Sequence, residues 1–296
     1  MRIRRTDLAL EARELWRESA GETTRLPGVK AWESEREGIP VTTVHILDQE
    51  GEQALGKPQG RYVTLTLEGV AQREADVFSR ASRAIAGELT QLLEDVPPEG
   101  LVLVVGLGNR SITPDAVGPK VHEHTLVTRH LVDQMPEHFG ALRPVASLAS
   151  EVLGSTGVES GDLVKAVCDR IRPACVVAVD ALASRSLDRL CRTVQLADSG
   201  ITPGSGVGNH RLGLNQDSLG VPVIAVGVPT VVDGATLAAD LTGAEQPPRL
   251  GPGQDLLVTP KDIDSQVADL SKIIGYGINL ALQPGLDIQE LDLLLS

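Results

Sequence analysis

Three uninterrupted apolar runs constrain this chain most: LVLVVG at 101–106, CVVAVDAL at 175–182 and VPVIAVGVP at 221–229. They are rich in valine, of strand length and almost free of polar residues. That is the pattern of strands buried on both faces of a parallel sheet. Helical stretches at 160–171, 233–241 and 261–282 separate or follow them. Strand-then-helix alternation predicts an α/β fold, a mostly parallel sheet flanked by helices.

Elsewhere the pattern changes. IPVTTVHIL at 39–47 and RYVTLTL at 61–67 are β-branched runs on either side of the turn-rich QEGEQALGKPQG. They predict a strand hairpin or small added sheet over residues 39–68. Residues 1–20 read as a charged helix after a short tail, and Gly21 to Gly38 as a connecting segment. Val77, Ala81, Ile85, Leu89 and Leu93 form one helical stripe within 73–95, stopped by Pro97, Pro98 and Gly100. Residues 242–256 are the most loop-like stretch. A length of 296 residues fits one large α/β domain or two small ones.

Charge and aromatic content exclude several functions. Forty Asp and Glu against 27 Lys and Arg give a net charge of −13, and aromatic residues are only 2%. Nucleic-acid surfaces need basic faces or stacking rings, so direct nucleic-acid binding is not expected. No apolar window approaches the roughly 18 residues of a membrane span. The N-terminal MRIRRTDLALEARELW has basic residues but no apolar run or small-residue cleavage site, so no secretory signal is expected. Cys168, Cys175 and Cys191 form no CxxC pair, and their apolar neighbours predict reduced, partly buried thiols in a cytoplasmic protein. His122 and His124, with His130 nearby, would point to different helix faces. They read as a solvated surface, and no metal site or cofactor is expected.

In open parallel sheets, functional groups gather beyond the carboxyl ends of the strands. Two aspartates occupy such positions: Asp115 in the loop after LVLVVG, and Asp180 at the end of ACVVAVD. Two close carboxylates do not easily both ionise, so one activates water while the other donates a hydrogen bond. The competing readings are a helix cap for Asp115 and a salt bridge to Arg185 for Asp180. Gly106–Leu107–Gly108–Asn109 lacks the third glycine of a dinucleotide loop and any Walker lysine. It serves either a nucleotide or a peptide backbone that must approach closely. PGSGVGN at 203–209, with Gly206 and Asn209, is a second candidate for substrate contact or a plain loop. Ser205 has no strand-to-helix elbow, which argues against a serine nucleophile.

Together these motifs resemble the germination proteases of endospore-forming bacteria. The similar segments are RTDLALEA at 5–12, VGLGNRSITPDAVGP at 105–119, GSTGVES at 154–160, VVAVDALASRS at 176–186, PGSGVGN at 203–209, GVPTVVDG at 227–234 and VTPKDID at 258–264. The resemblance implies a fold like that of hydrogenase maturation peptidases (phosphorylase/hydrolase-like). It implies a cytoplasmic endopeptidase of the developing spore that degrades small acid-soluble spore proteins. It also implies a homotetrameric, inactive precursor that removes its own N-terminal segment. The family's two proposed catalytic aspartates fall on Asp115 and Asp180, with no metal or cofactor. Gly106, Gly108, Asn109, Gly206 and Asn209 are expected to bind substrate or support the site. Thr6-Asp7-Leu8-Ala9-Leu10-Glu11 resembles the family's substrate sequence, so cleavage is expected between Asp7 and Leu8. Residues 1–7 would be a pro-segment and 8–296 a single peptidase domain.

Overall fold

In the computed structural model, the structure describes residues 5–20, 26–72, 74–204, 212–244 and 256–295. Among the described residues nine strands form one sheet: β1 (Val29–Arg36), β2 (Ile39–Ile46), β3 (Gly60–Thr66), β4 (Val102–Leu107), β5 (Val145–Ser150), β6 (Cys175–Ser184), β7 (Thr193–Ala197), β8 (Val223–Asp233) and β9 (Leu257–Val258). The order across the sheet is β1-β2-β3-β7-β8-β6-β4-β5, with β9 paired to the end of β8.

The three apolar runs are β4, β6 and β8. Every residue of β4 and β8 is buried, as is nearly all of β6. Alternate side chains supply two cores. Val102, Val104, Val177 and Val179 pack with Ile85 and Leu89 of the helix Val77–Leu92 and Leu270 and Ile274 of the helix Ile263–Leu282. Leu103, Val105, Leu107, Val176 and Ala178 face the other way, onto Val164 and Cys168 of the helix Ser160–Ile171. Helices on both faces are what continuous valine strands require.

The sheet is mixed rather than mostly parallel. β5, β4, β6 and β8 are parallel, whereas β7, β3, β2 and β1 continue the sheet antiparallel. The expected pair β2–β3 is present, but it is continuous with the main sheet through β7. Two loop readings also change. Part of the connecting segment before Gly38 is β1, an edge strand whose charges conceal it. The turn-rich stretch between β2 and β3 contains the helix Gln49–Leu55. Asp48 starts that helix by accepting Gly51 N–H at 3.0 Å, and Gly56 ends it in the left-handed conformation. The helix Ala9–Ala20 covers the antiparallel half, where Ala9 and Ala12 pack with Val44, Ile46, Tyr62 and Ala225.

Candidate active site

Asp115 is placed by a turn that glycine makes possible. β4 ends at Leu107, and Gly108 follows at φ +118, where a Cβ would lie 2.1 Å from the Asp115 carbonyl oxygen. Only a residue without a side chain lets the chain return so closely. The returning residues Thr113–Asp115 form a 3₁₀ turn, held to β8 by Thr230 Oγ1 donating to the Pro114 carbonyl at 2.7 Å. The Asp115 carboxylate accepts Asn109 N–H at 2.9 Å. The next helix, Val117–Glu123, has Ala116 at its N-cap and no side-chain cap bond, so Asp115 is not its cap. Gly106 and Gly118 seat that helix on β4, since a Cβ on Gly106 would meet the Gly118 carbonyl at 2.1 Å.

Asp180 sits on the neighbouring parallel strand. Gly106 of β4 is opposite Val179 of β6, so the loop leaving β4 passes β6 at Asp180. Asp180 is not the last residue of its strand as expected, since β6 runs on to Ser184. Asp180 is only 4% exposed, and its Oδ1 accepts Ala181 N–H at 2.9 Å. A carboxylate so far removed from water needs polar partners or a chemical purpose. Arg185 does not supply the suggested salt bridge: its guanidinium is held by Glu18 and Asp240, each at 3.0 Å.

Asp115 and Asp180 line one cleft of about 320 Å³, with Gly108, Pro114, Ser160, Leu182, Ala183 and Thr230 among its other walls. Asp7 lines it too. The N-terminal segment is docked along β6 and β7. Asp7 N–H donates to the Ala183 carbonyl at 2.9 Å, and the Asp7 carboxylate accepts Ala183 N–H at 2.8 Å. Gln195 of β7 donates to the Asp7 carbonyl at 3.3 Å and accepts Ala9 N–H at 2.8 Å. Leu8, between them, is fully buried. Glu11 is buried as well, accepting from Arg185 N–H, Ser186 N–H and the Thr6 hydroxyl, with Arg189 beside it. Burial raises its carboxyl pKa despite those partners.

The chain's relatives give this geometry a context. The germination protease family model matches residues 9–243. A germination protease of Caldanaerobacter subterraneus is 44% identical, with 98% of each chain covered. One from Clostridium perfringens is 42% identical over 99% of each chain, and one from Bacillus cytotoxicus 36% identical, covering 96% of this chain and 94% of the relative. The chain belongs to the germination protease family.

As a member of the germination protease family it is a peptidase. That assignment and the Gly106–Asn109 geometry displace the nucleotide reading. Asn109 N–H, which a phosphate would need, is already bonded to the Asp115 carboxylate, and two further acids line the same cleft. The structure brings Asp7, Asp115, Asp180 and Gly108 together, while Gly106 lies behind them under Gly118. Gly206 and Asn209 lie outside the described residues. His122 and His124 are half-buried rather than solvated, His122 Nδ1 lying 2.7 Å from Ser147 Oγ; burial lowers both imidazole pKa values. The three cysteines are free and fully within the core. Among the described residues, no group of three or more His, Cys, Asp and Glu could hold a metal ion. Sequence reasoning missed Lys57 and Gln195, and it named Glu11 only as part of the substrate-like sequence Thr6–Glu11. Only Gln195 carried a local signal, as a polar residue inside the apolar strand TVQLA.

Proposed function

We propose that the chain is an endopeptidase that begins the degradation of small acid-soluble spore proteins, and that Asp115 and Asp180 activate the attacking water. The observation that carries the reading is the position of Asp7. It belongs to a segment resembling the family's substrates, and it lines the same cleft as the two aspartates. One carboxylate takes a proton from water as the oxygen attacks the peptide carbonyl carbon. The other, protonated, donates to the carbonyl oxygen and stabilises the tetrahedral intermediate. As that intermediate collapses, a proton passes to the departing nitrogen, leaving a new carboxyl group and a new amine. The strand, glycine turn and aspartate before the helix Val117–Glu123 also support a fold relation to hydrogenase maturation peptidases.

The same observation supports a self-processing zymogen. Asp7 lines the cleft beside the aspartates, and a chain that carries its own substrate sequence presents it at high effective concentration. Cleavage between Asp7 and Leu8 removes residues 1–7. Acid favours this step by protonating one member of the pair and by reducing repulsion across a chain of net charge −13. The precursor is a homotetramer of the forespore cytoplasm in this reading.

Incubation of the full chain across a pH series, followed by mass spectrometry, tests the processing. Loss of residues 1–7 is expected, and it should be absent in Asp180→Asn. An intact chain at every pH, alongside cleavage of spore-protein peptides, would overturn self-processing. Processing by Asp180→Asn would assign the cut to another protease. Failure of the wild type to cut any spore-protein peptide would overturn the substrate assignment.

A further inference from the structure

A second cleft, of about 330 Å³, adjoins the first, and Asp7 and Leu182 line both. Its polar walls include Lys57, Tyr62, Gln195, Ser199 and Asn215. Lys57 follows the helix Gln49–Leu55 and turns back toward the N-terminal segment, where its ammonium donates to the Thr6 carbonyl at 3.1 Å. It is half-buried, and burial lowers its pKa. Opposing that effect, the charges that favour its ammonium form are Asp7 and Glu11. A lysine drawn out of water contributes little to a core, and its flexible stem is entropically expensive to hold. Its hydrogen bond is to the segment that ends in Asp7, and it shares the second cleft with Asp7 itself.

Two further contacts mark the groove as a place for extended peptide. Ala183 offers both its N–H and its carbonyl to residue 7, as a strand edge does. Gln195 holds the main chain before and after residue 8. These contacts are to backbone atoms, apart from the acceptor oxygen of Asp7, so they grip many sequences alike. Selection of an acidic residue needs a cation, and among the described residues that line the two clefts Lys57 is the cation.

We propose that Lys57 selects the acidic side chain that immediately precedes the cleaved bond. The inference rests on the reading above, that this peptidase cuts sequences like its own residues 6–11. When residues 1–7 leave, the corresponding substrate residues take their half of the groove. The substrate acid then lies by Lys57, where the second cleft meets the cleft of Asp115 and Asp180. In the intact chain Asp7 lines that subsite itself.

The test compares kcat/KM for paired peptides that differ only in that position, Asp against Asn and Glu against Gln, on the full chain after incubation under processing conditions. The wild type is expected to prefer the acid at least tenfold. Lys57→Arg should keep the preference and Lys57→Met should bring it near one. Lys57→Glu should invert it, cutting a peptide with Lys at that position faster than one with Glu. The readout is a ratio measured on one enzyme sample, so a smaller folded fraction in a variant does not move it. A tenfold preference that survives Lys57→Met would overturn the role of Lys57 while leaving the peptidase reading intact. Equal cutting of acid and amide peptides by the wild type would do the same. A wild type that cuts none of them would overturn the substrate reading, and the role of Lys57 with it.

Discussion

Asp7 and Ala183 pair as two strand residues would, except that a side chain replaces one carbonyl: the Asp7 carboxylate, not its main chain, receives Ala183 N–H. The docked segment therefore depends on an acceptor side chain at residue 7. Asp7→Ala leaves the buried Ala183 N–H unpaired, a loss of about 1–3 kcal/mol from the docked state. Hydrogen exchange at Ala183 should accelerate, and residues 5–8 should become more open to added proteases. Unchanged exchange at Ala183 would show that the segment is held by other contacts.

Replacing either member of the candidate pair, Asp115→Asn or Asp180→Asn, should lower peptide cleavage roughly 10²–10⁴-fold with the fold retained. If the two act in one step, the double variant should be little worse than either single one. Circular dichroism and steady-state kinetics decide it. Normal turnover in Asp115→Asn would leave that residue a purely architectural role.

Gly108→Ala tests how far the turn governs the chemistry. At φ +118 an alanine is strained by about 1–3 kcal/mol from the backbone alone. Its Cβ would also meet the Asp115 carbonyl, so the carboxylate must move. Thermal melting should fall, and kcat should fall further than the lost stability explains. A variant less stable but fully active would show that the turn tolerates displacement.

The pH dependence of docking should follow Glu11. Burial raises its pKa in the folded chain above that of the unfolded one. Its stabilising effect is therefore fully present below the unfolded value and is lost as pH rises through the folded value. The wild type should gain stability relative to Glu11→Gln as pH falls toward and below the ordinary carboxylate range. Urea titrations of both proteins across that range measure the difference. A difference that grows with rising pH would reverse the assignment.

Prolonged dialysis against a chelator should leave peptide cleavage unchanged, since the proposed pair activates water without an ion. Loss of activity restored by a divalent cation would move the mechanism to metal-assisted hydrolysis.

How much of this was readable varied with the half of the sheet. β4, β6 and β8 announce themselves because strands covered on both faces carry unbroken apolar side chains. Asp180 stands out for the same reason, as a polar residue inside such a run, and Asp115 as an acid in the loop that follows one. β1 does not, since VKAWESER has charges where an inner strand would have valine. β5, VASLAS, consists largely of small residues, and β7 is five residues long. The antiparallel half also hides the groove. Gln195, Gly227 and Asp180 stand in one row across β7, β8 and β6. That row is set by pairings between distant segments, which no local pattern records. Lys57 comes from a stretch whose composition suggests only a turn, and its neighbour Thr6 is 51 positions away in the chain.

The outer strand β1 has a consequence for the protein as a material. A wide sheet that ends in an open strand is a template on which another chain can grow, and crowding increases that hazard. Here the open strand carries Lys30, Glu33, Glu35 and Arg36 in eight residues, and its exposed positions are mostly charged. Another strand arriving at that edge must set its own side chains against this mixed row and strip water from it. That edge therefore resists pairing with another molecule's sheet even when the protein is packed densely.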